Sequence, residues 1–410
     1  MAGVLTAADV RESLAAFVAD VVDRLEHRRQ REHAETYVRG LIEDGRRKSL
    51  QPTLFRLGVC GLVGVDAAYQ SVQQFLADSP WDPEVVIRAC AERVAPQLEV
   101  QAWVVDDTGF PKDGKRSPGV QRQYSGTLGK IGNCQIGVSV HAIGSRASLP
   151  LGWRLYLPAS WCEDGERRRQ AKIPDDVVFQ TKAQLAVDLI ATARTWDVPG
   201  APVLADEAYG NDTLFRETLD ADGAGYVVAV SAKTRVYPPA TVFAVPERSP
   251  GRGRPPTVAV ADRSAETVAA VCAALPAERW LTLPCRTTPS GDVETSRFAL
   301  LRVWAAHTIV RHHKAPRPEW LVAEWPEHTD APTDYWLSNL AASTIPEQLA
   351  RLARLRWTIE LDYRQLKGEL GLDHYEGRSW NGWHHHTALV TCAHAFLTEQ
   401  RLRPRPERPA

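Results

Sequence analysis

The strongest constraint on the fold is a change of hydrophobic period near residue 97. Upstream, Leu14, Phe17, Val18, Val21, Val22 and Leu25 recur at three- and four-residue steps, which places them on one face of a helix. Downstream, residues 98–105, 133–145 and 149–158 read as strands separated by turn signals. A helical stretch over 177–196 then leads to a short apolar strand at 202–206, a second helix near 211–219 and a strand at 225–231. Three neighbouring strands followed by helix, strand, helix and strand predict an α/β core that begins as an antiparallel meander.

The rhythm breaks over 232–330, where Pro238, Pro239, Pro246, Pro250, Pro255 and Pro256 punctuate short strand candidates such as 298–306 and 320–324. This stretch reads as a largely β insertion. The core pattern resumes at 334–340, and a long helix is expected over 345–370, capped by Ser343 or Thr344 with Glu347 completing a capping box. The resulting division is a helical region over 1–95, a first core segment over 96–231, the insertion over 232–330, the last core strand and helix over 331–372, and a helical C-terminal region with a basic tail over 373–410.

With 44% hydrophobic and 24% charged residues the 410-residue chain has the composition of a globular protein. No segment supplies the ~18 consecutive apolar residues of a membrane span, and Asp9, Arg11 and Glu12 interrupt the start where a signal peptide would be apolar. A cytoplasmic protein with no membrane partner is expected. Seven cysteines stand singly, without a CxxC pair, which indicates neither a disulfide framework nor a thiolate zinc site. The formal net charge of -1 gives no global basic footprint, so any nucleic-acid surface must come from local clusters.

Three acids stand out against this order of elements. Asp107 is expected just past the end of the first strand and Asp206 at the end of the fourth, in Ala205-Asp206-Glu207-Ala208-Tyr209-Gly210. In a ribonuclease-H-like α/β fold, whose element order this chain follows, those two strands are neighbours. Glu360 lies on the expected last helix, where Arg356, Glu360, Tyr363 and Lys367 share a stripe beside the apolar positions Leu352, Leu355, Ile359, Leu366 and Leu370. Alone, Arg356 and Glu360 read equally as a surface pair at i,i+4. A few carboxylates plus a substrate phosphate make the usual site for Mg²⁺, and two such ions can serve in-line displacement at phosphorus.

The motifs around these acids resemble IS701-type insertion-sequence transposases. The first block is Asp106-Asp107-Thr108-Gly109-Phe110-Pro111-Lys112, continuing through Arg122-Gln123-Tyr124-Ser125-Gly126, Gly129-Lys130 and Asn133-Cys134-Gln135. Ala205 to Gly210 resembles the second block. Arg356-Trp357, Ile359-Glu360, Lys367 and Gly371 to Arg378 resemble the third, and Arg46-Arg47-Lys48 with Phe75-Leu76, Ser79 and Trp81-Asp82 extend the likeness towards the N-terminus. The resemblance implies a wider relationship to the IS4-like transposases, whose third block carries tyrosine, arginine, glutamate and lysine. Here the tyrosine's position is Ala353, and Tyr363 on the same face is the candidate substitute.

That likeness implies a DDE endonuclease and strand transferase that moves an insertion sequence by cut and paste. It would use two Mg²⁺ or Mn²⁺ ions held by Asp107, Asp206 and Glu360, and act as a homodimer on the terminal inverted repeats and the target duplex. The motif selects Asp107, next to the threonine, with Asp106 as the alternative. Lys112, Lys115, Arg116, Arg122 and Lys130, with Arg356, Tyr363 and Lys367, are the expected DNA contacts, against the plainer reading of a solvated charged hairpin. Pro250-Gly251-Arg252-Gly253-Arg254 reads as a plain loop or a minor-groove hook. His384-His385-His386 lacks the spacing of a zinc site. A nuclease without strand transfer, or a transposase-derived DNA-binding regulator, are the alternative functions.

Overall fold

The computed structural model describes residues 7–59, 65–246, 259–287, 292–307 and 317–403. The Arg-Gly-Arg segment near 252 and the basic tail after 403 lie outside them. Residues 1–200 with 358–410 form one compact unit, and residues 201–357 a second.

The first unit opens with helices α1 (Ala7–Val22), α2 (Arg28–Ile42), α3 (Leu50–Val59), α4 (Val65–Ala77) and α5 (Pro83–Val94). The apolar stripe read from the sequence is the buried face of α1, with Leu14, Phe17, Val18, Val21 and Val22 all covered. Asp82 starts α5 by accepting the Glu84 amide, with Pro83 at the first helical position where its missing N–H costs nothing.

A four-stranded antiparallel sheet follows: β1 (Ala102–Pro111), β2 (Gln121–Ser125), β3 (Lys130–Ile143) and β4 (Ser148–Leu155). β3 pairs with β1 along ten uninterrupted positions, from Ala102↔Ile143 to Pro111↔Cys134. Its other edge is shared, pairing first with β2 and then with β4. Two helices cover this sheet. On one face lies α6 (Lys182–Arg194), and Gly152 makes room for it, since a Cβ there would sit 2.7 Å from Leu189. On the other lies the 23-residue α10 (Trp380–Leu402), buried on nearly every side because it packs on β4 and also on α2, α4 and α5.

The second unit holds β5 (Val203–Ala205) and β6 (Tyr226–Ala229), which are parallel and joined through α7 (Thr213–Ala221). Four antiparallel strands extend that pair: β7 (Leu281–Thr287), β8 (Val293–Ala305), β9 (Glu319–Trp325) and β10 (Asp334–Ser338), in the order β6-β10-β9-β8-β7. A core of Val230, Val236, Val268, Val271, Leu301, Val303, Leu321 and Leu337 unites them. The chain thus has the mixed α/β fold with a ribonuclease-H-like element order and β-rich inserted material.

Three expectations are corrected. Asp107 is not past the end of its strand, because pairing with β3 carries β1 on to Pro111 and leaves Asp106 and Asp107 in mid-strand. The helix expected over 345–370 is two helices, α8 (Pro346–Leu355) and α9 (Thr358–Gly368), with a turn at Arg356 and Trp357. The Trp357 ring is held in that turn by the Arg286 guanidinium, 3.8 Å from its centroid, while Arg354 of α8 pairs with buried Glu324 at 3.4 Å. The cap is Ile345 with no side-chain bond, not Ser343 or Thr344, because Pro346 takes the first helical position it suits best.

Candidate active site

Strand alternation sends the two adjacent aspartates to opposite faces of the sheet. Asp106 stands opposite Ser139 and so shares its face, where the Ser139 hydroxyl meets the Tyr363 hydroxyl of α9 at 2.8 Å. Asp107 stands opposite Val138, on the face covered by α6, and Lys182 of α6 reaches its Oδ2 at 2.9 Å. Both acids are half-buried. The Tyr363 hydroxyl is held far above its ordinary range, first by burial and then by the charges of Asp106 and Asp107, so it stays protonated beside them.

Lys367 lies one turn further along α9. Its ammonium donates to the Gly109 carbonyl of β1 at 2.8 Å and to Thr127 Oγ1 at 3.0 Å, over the ring of Phe110. Burial pulls it down to about 8, so it titrates close to neutrality. Glu360 lies on α9 and is exposed. Asp206 caps a short helix (Glu207–Gly210) in the second unit, its Oδ1 accepting the amides of Ala208 and Tyr209 at 2.9 and 3.3 Å. Arg356 lies in the turn before α9 and also belongs to the second unit. The stripe read on one long helix is therefore kept only from Glu360 through Tyr363 to Lys367.

The expected DNA contacts differ in what they touch. Lys115 and Arg116 are exposed beside a cleft, and Arg122 and Lys130 are exposed on the β2–β3 hairpin. Lys112 is turned inwards, donating to the Tyr375 carbonyl at 2.6 Å, and burial lowers its affinity for the proton. Among the described residues no group of three or more His, Cys, Asp or Glu side chains is disposed as a metal site. The three adjacent histidines are instead engaged by the protein's own groups: His384 reaches the Trp380 carbonyl, His385 the carbonyls of Leu76 and Trp81, and His386 the Tyr37 hydroxyl.

Residues 20–290 match the family described as DDE superfamily endonuclease, about two thirds of the chain. The chain belongs to the DDE superfamily endonucleases. It is also 29% identical over 194 residues to a protein of Microchaete diplosiphon described as a probable transposase for insertion sequence element IS701, a match covering 47% of this chain and 46% of that relative. The aligned stretch thus spans about half the length of the relative. Within the described residues no helix of this DDE endonuclease is long and apolar enough to cross a membrane.

Two features escaped the sequence reading. Lys182 sits at the first position of α6, just after its Thr181 cap, where the helix dipole disfavours a cation. That misplaced charge was the available signal, and its reason is the pairing with Asp107. The second is a buried array behind α9, in which His141 Nδ1 lies 2.7 Å from Asp362 Oδ2 while the Ser148 hydroxyl donates to Asp362 Oδ1. Burial alone would raise the Asp362 carboxyl, but His141, His394 and Ser148 together bring it below its ordinary value. Its partners are 221 and 214 residues away in sequence, beyond any local pattern.

Proposed function

We propose that this protein is an insertion-sequence transposase that cuts and joins DNA, with Asp107, Asp206 and Glu360 as the carboxylates that hold Mg²⁺ or Mn²⁺. The observation that carries the reading is the family match over residues 20–290 together with a pair of half-buried aspartates in mid-strand, flanked by Lys182, Tyr363 and Lys367. The donor set suits the metal: all three are carboxylates, as a hard dication requires. Two bound ions would supply charge stabilisation for the attacking and departing oxygens of an in-line displacement.

The chain's own residues support that chemistry by holding β1 rigid. Lys367 ties α9 to the Gly109 carbonyl, two residues from Asp107, and Tyr363 ties the same helix to Ser139 of β3. Lys182 balances the charge of Asp107. Its ammonium would have to yield Asp107 Oδ2 to a bound cation, and the freed lysine would then be available to a substrate phosphate. Two element ends need two such sites, which makes a homodimer on DNA the working form.

The test is a joining assay with a labelled duplex carrying the terminal repeat, a plasmid target and Mg²⁺. Alanine at Asp107, Asp206 or Glu360 is expected to abolish cleavage while end binding stays within a few-fold, since affinity comes mainly from basic groups. Cleavage without any joined product would replace the transposase by a plain nuclease. An active Asp107→Ala protein beside an inactive Asp106→Ala protein would move the first acid to the face of α9.

A further inference from the structure

The cleft of about 810 Å³ beside Lys115 is built by three loops of the first unit, around residues 46–47, 111–117 and 373–378. Six cationic side chains line it, Arg46, Arg47, Lys112, Lys115, Arg116 and Arg378, against the carboxylates of Asp113, Asp373 and Glu376. So strong a local excess, in a chain of net charge -1, is a concentrated field and not a sample of the average surface. Among the described residues, Arg46, Lys115, Arg116 and Arg378 are exposed with no carboxylate at ion-pair distance.

The loops are tied to one another by hydrogen bonds and one ion pair. Lys112 holds the third loop through the Tyr375 carbonyl at 2.6 Å, and Arg47 holds it through Glu376 at 2.7 Å. The Lys48 amide donates to His374 Nδ1 at 2.9 Å, and Asn133 Nδ2 fixes the second loop through the Gly114 carbonyl at 2.9 Å. Two of the six cations therefore act as struts, and the other four are presented on a framework ordered beforehand, which lowers the entropic cost of engaging a ligand.

From these observations we infer that the cleft is a seat for the DNA phosphodiester backbone, with Arg46, Lys115, Arg116 and Arg378 as its phosphate contacts and Lys112 as a strut. The inference rests on the transposase reading and adds the N-terminal arginines and Arg378 to its DNA surface. Pro111 at the cleft wall is four residues along β1 from Asp107, about 13 Å at strand spacing. At 3.4 Å per nucleotide that span covers roughly four nucleotides, so a duplex held at Asp107 and running along β1 would reach the cleft.

The experiment measures binding of a fluorescent random-sequence duplex of about 30 base pairs by anisotropy across a salt series. The comparison is between the wild-type chain and the triple variant Arg46→Gln, Lys115→Gln, Arg378→Gln, with circular dichroism confirming that these exposed changes leave the fold intact. Losing three phosphate contacts is expected to reduce the slope of log K against log salt by about 2.7, at ~0.9 per contact. A variant slope within about 0.5 of wild type overturns the seat while the transposase reading stands. Absence of duplex binding by the wild-type chain overturns both.

Discussion

The buried histidines of α10 make the first unit sensitive to mild acid. His386 lies in the interior with Nδ1 at 2.9 Å from the Tyr37 hydroxyl and Nε2 at 3.2 and 3.1 Å from the carbonyls of Gly371 and Leu372. One neutral tautomer satisfies all of these contacts: Nε2–H donates to the carbonyls and Nδ1 accepts from the tyrosine. Burial pulls His386 down to about 4, and His394, equally enclosed, also to about 4. The unfolded chain, near 6.5, therefore binds more protons than the folded one across the window from about 6.5 to 4. Stability from these rings is complete above 6.5 and is lost as pH falls through that window. At pH 5.5 each ring costs about 1.4 kcal/mol relative to pH 7.5, so the pair costs ~3 kcal/mol, a large part of a typical domain's stability. Burial also lowers His384, to about 3, and His385 on the same helix, so both add to the loss in the same sense. Glu319 and Glu324 act in the opposite sense, since burial raises both, but they belong to the second unit.

Hydrogen exchange of α10 peptides, corrected for the intrinsic rate at each pH, isolates the effect in the first unit. The opening free energy is expected to fall by at least ~3 kcal/mol between pH 7.5 and 5.5, and His386→Gln to remove about 1.4 kcal/mol of that dependence. Equal protection at the two pH values, to within about 1 kcal/mol, refutes the argument. So does a His386→Gln protein whose pH dependence matches the wild type.

Three further outcomes follow from named contacts. Asp362→Ala leaves His141 and Ser148 facing an empty place in the interior and is expected to cost ~1–3 kcal/mol in urea unfolding, with Asp362→Asn milder. Gly371→Ala would place a Cβ 2.3 Å from Lys48 Cβ on a backbone with φ of 70°, so a loss of about 2 kcal/mol or more in the same assay is expected. Lys182→Met removes a partly exposed ion pair, so stability should change by less than about 1 kcal/mol, while half-maximal cleavage should need less Mg²⁺ because the lysine no longer competes for Asp107. An increased Mg²⁺ requirement in Lys182→Met would show that the lysine assists metal binding.

What the sequence revealed and what it hid divide along the range of the interactions. The α1 stripe and the strands of the meander were legible because period and turn chemistry are local. The true end of β1 was not, because two polar residues resemble a strand stop until β3 is seen pairing past them. Likewise, 345–370 carries one continuous helical pattern, and the long-range contact of Arg286 with Trp357 accompanies the turn that separates α8 from α9. The same logic applies at the candidate site. Adjacent aspartates are equivalent in sequence, yet the register of β1 on β3 gives them different neighbours, Tyr363 on the side of Asp106 and Lys182 on that of Asp107. A protonated hydroxyl on one side and an ammonium on the other give the two carboxylates unequal electrostatic surroundings. That inequality makes the two single-alanine variants a decisive pair of experiments, because each removes a carboxylate from one face of the sheet and leaves the other face intact.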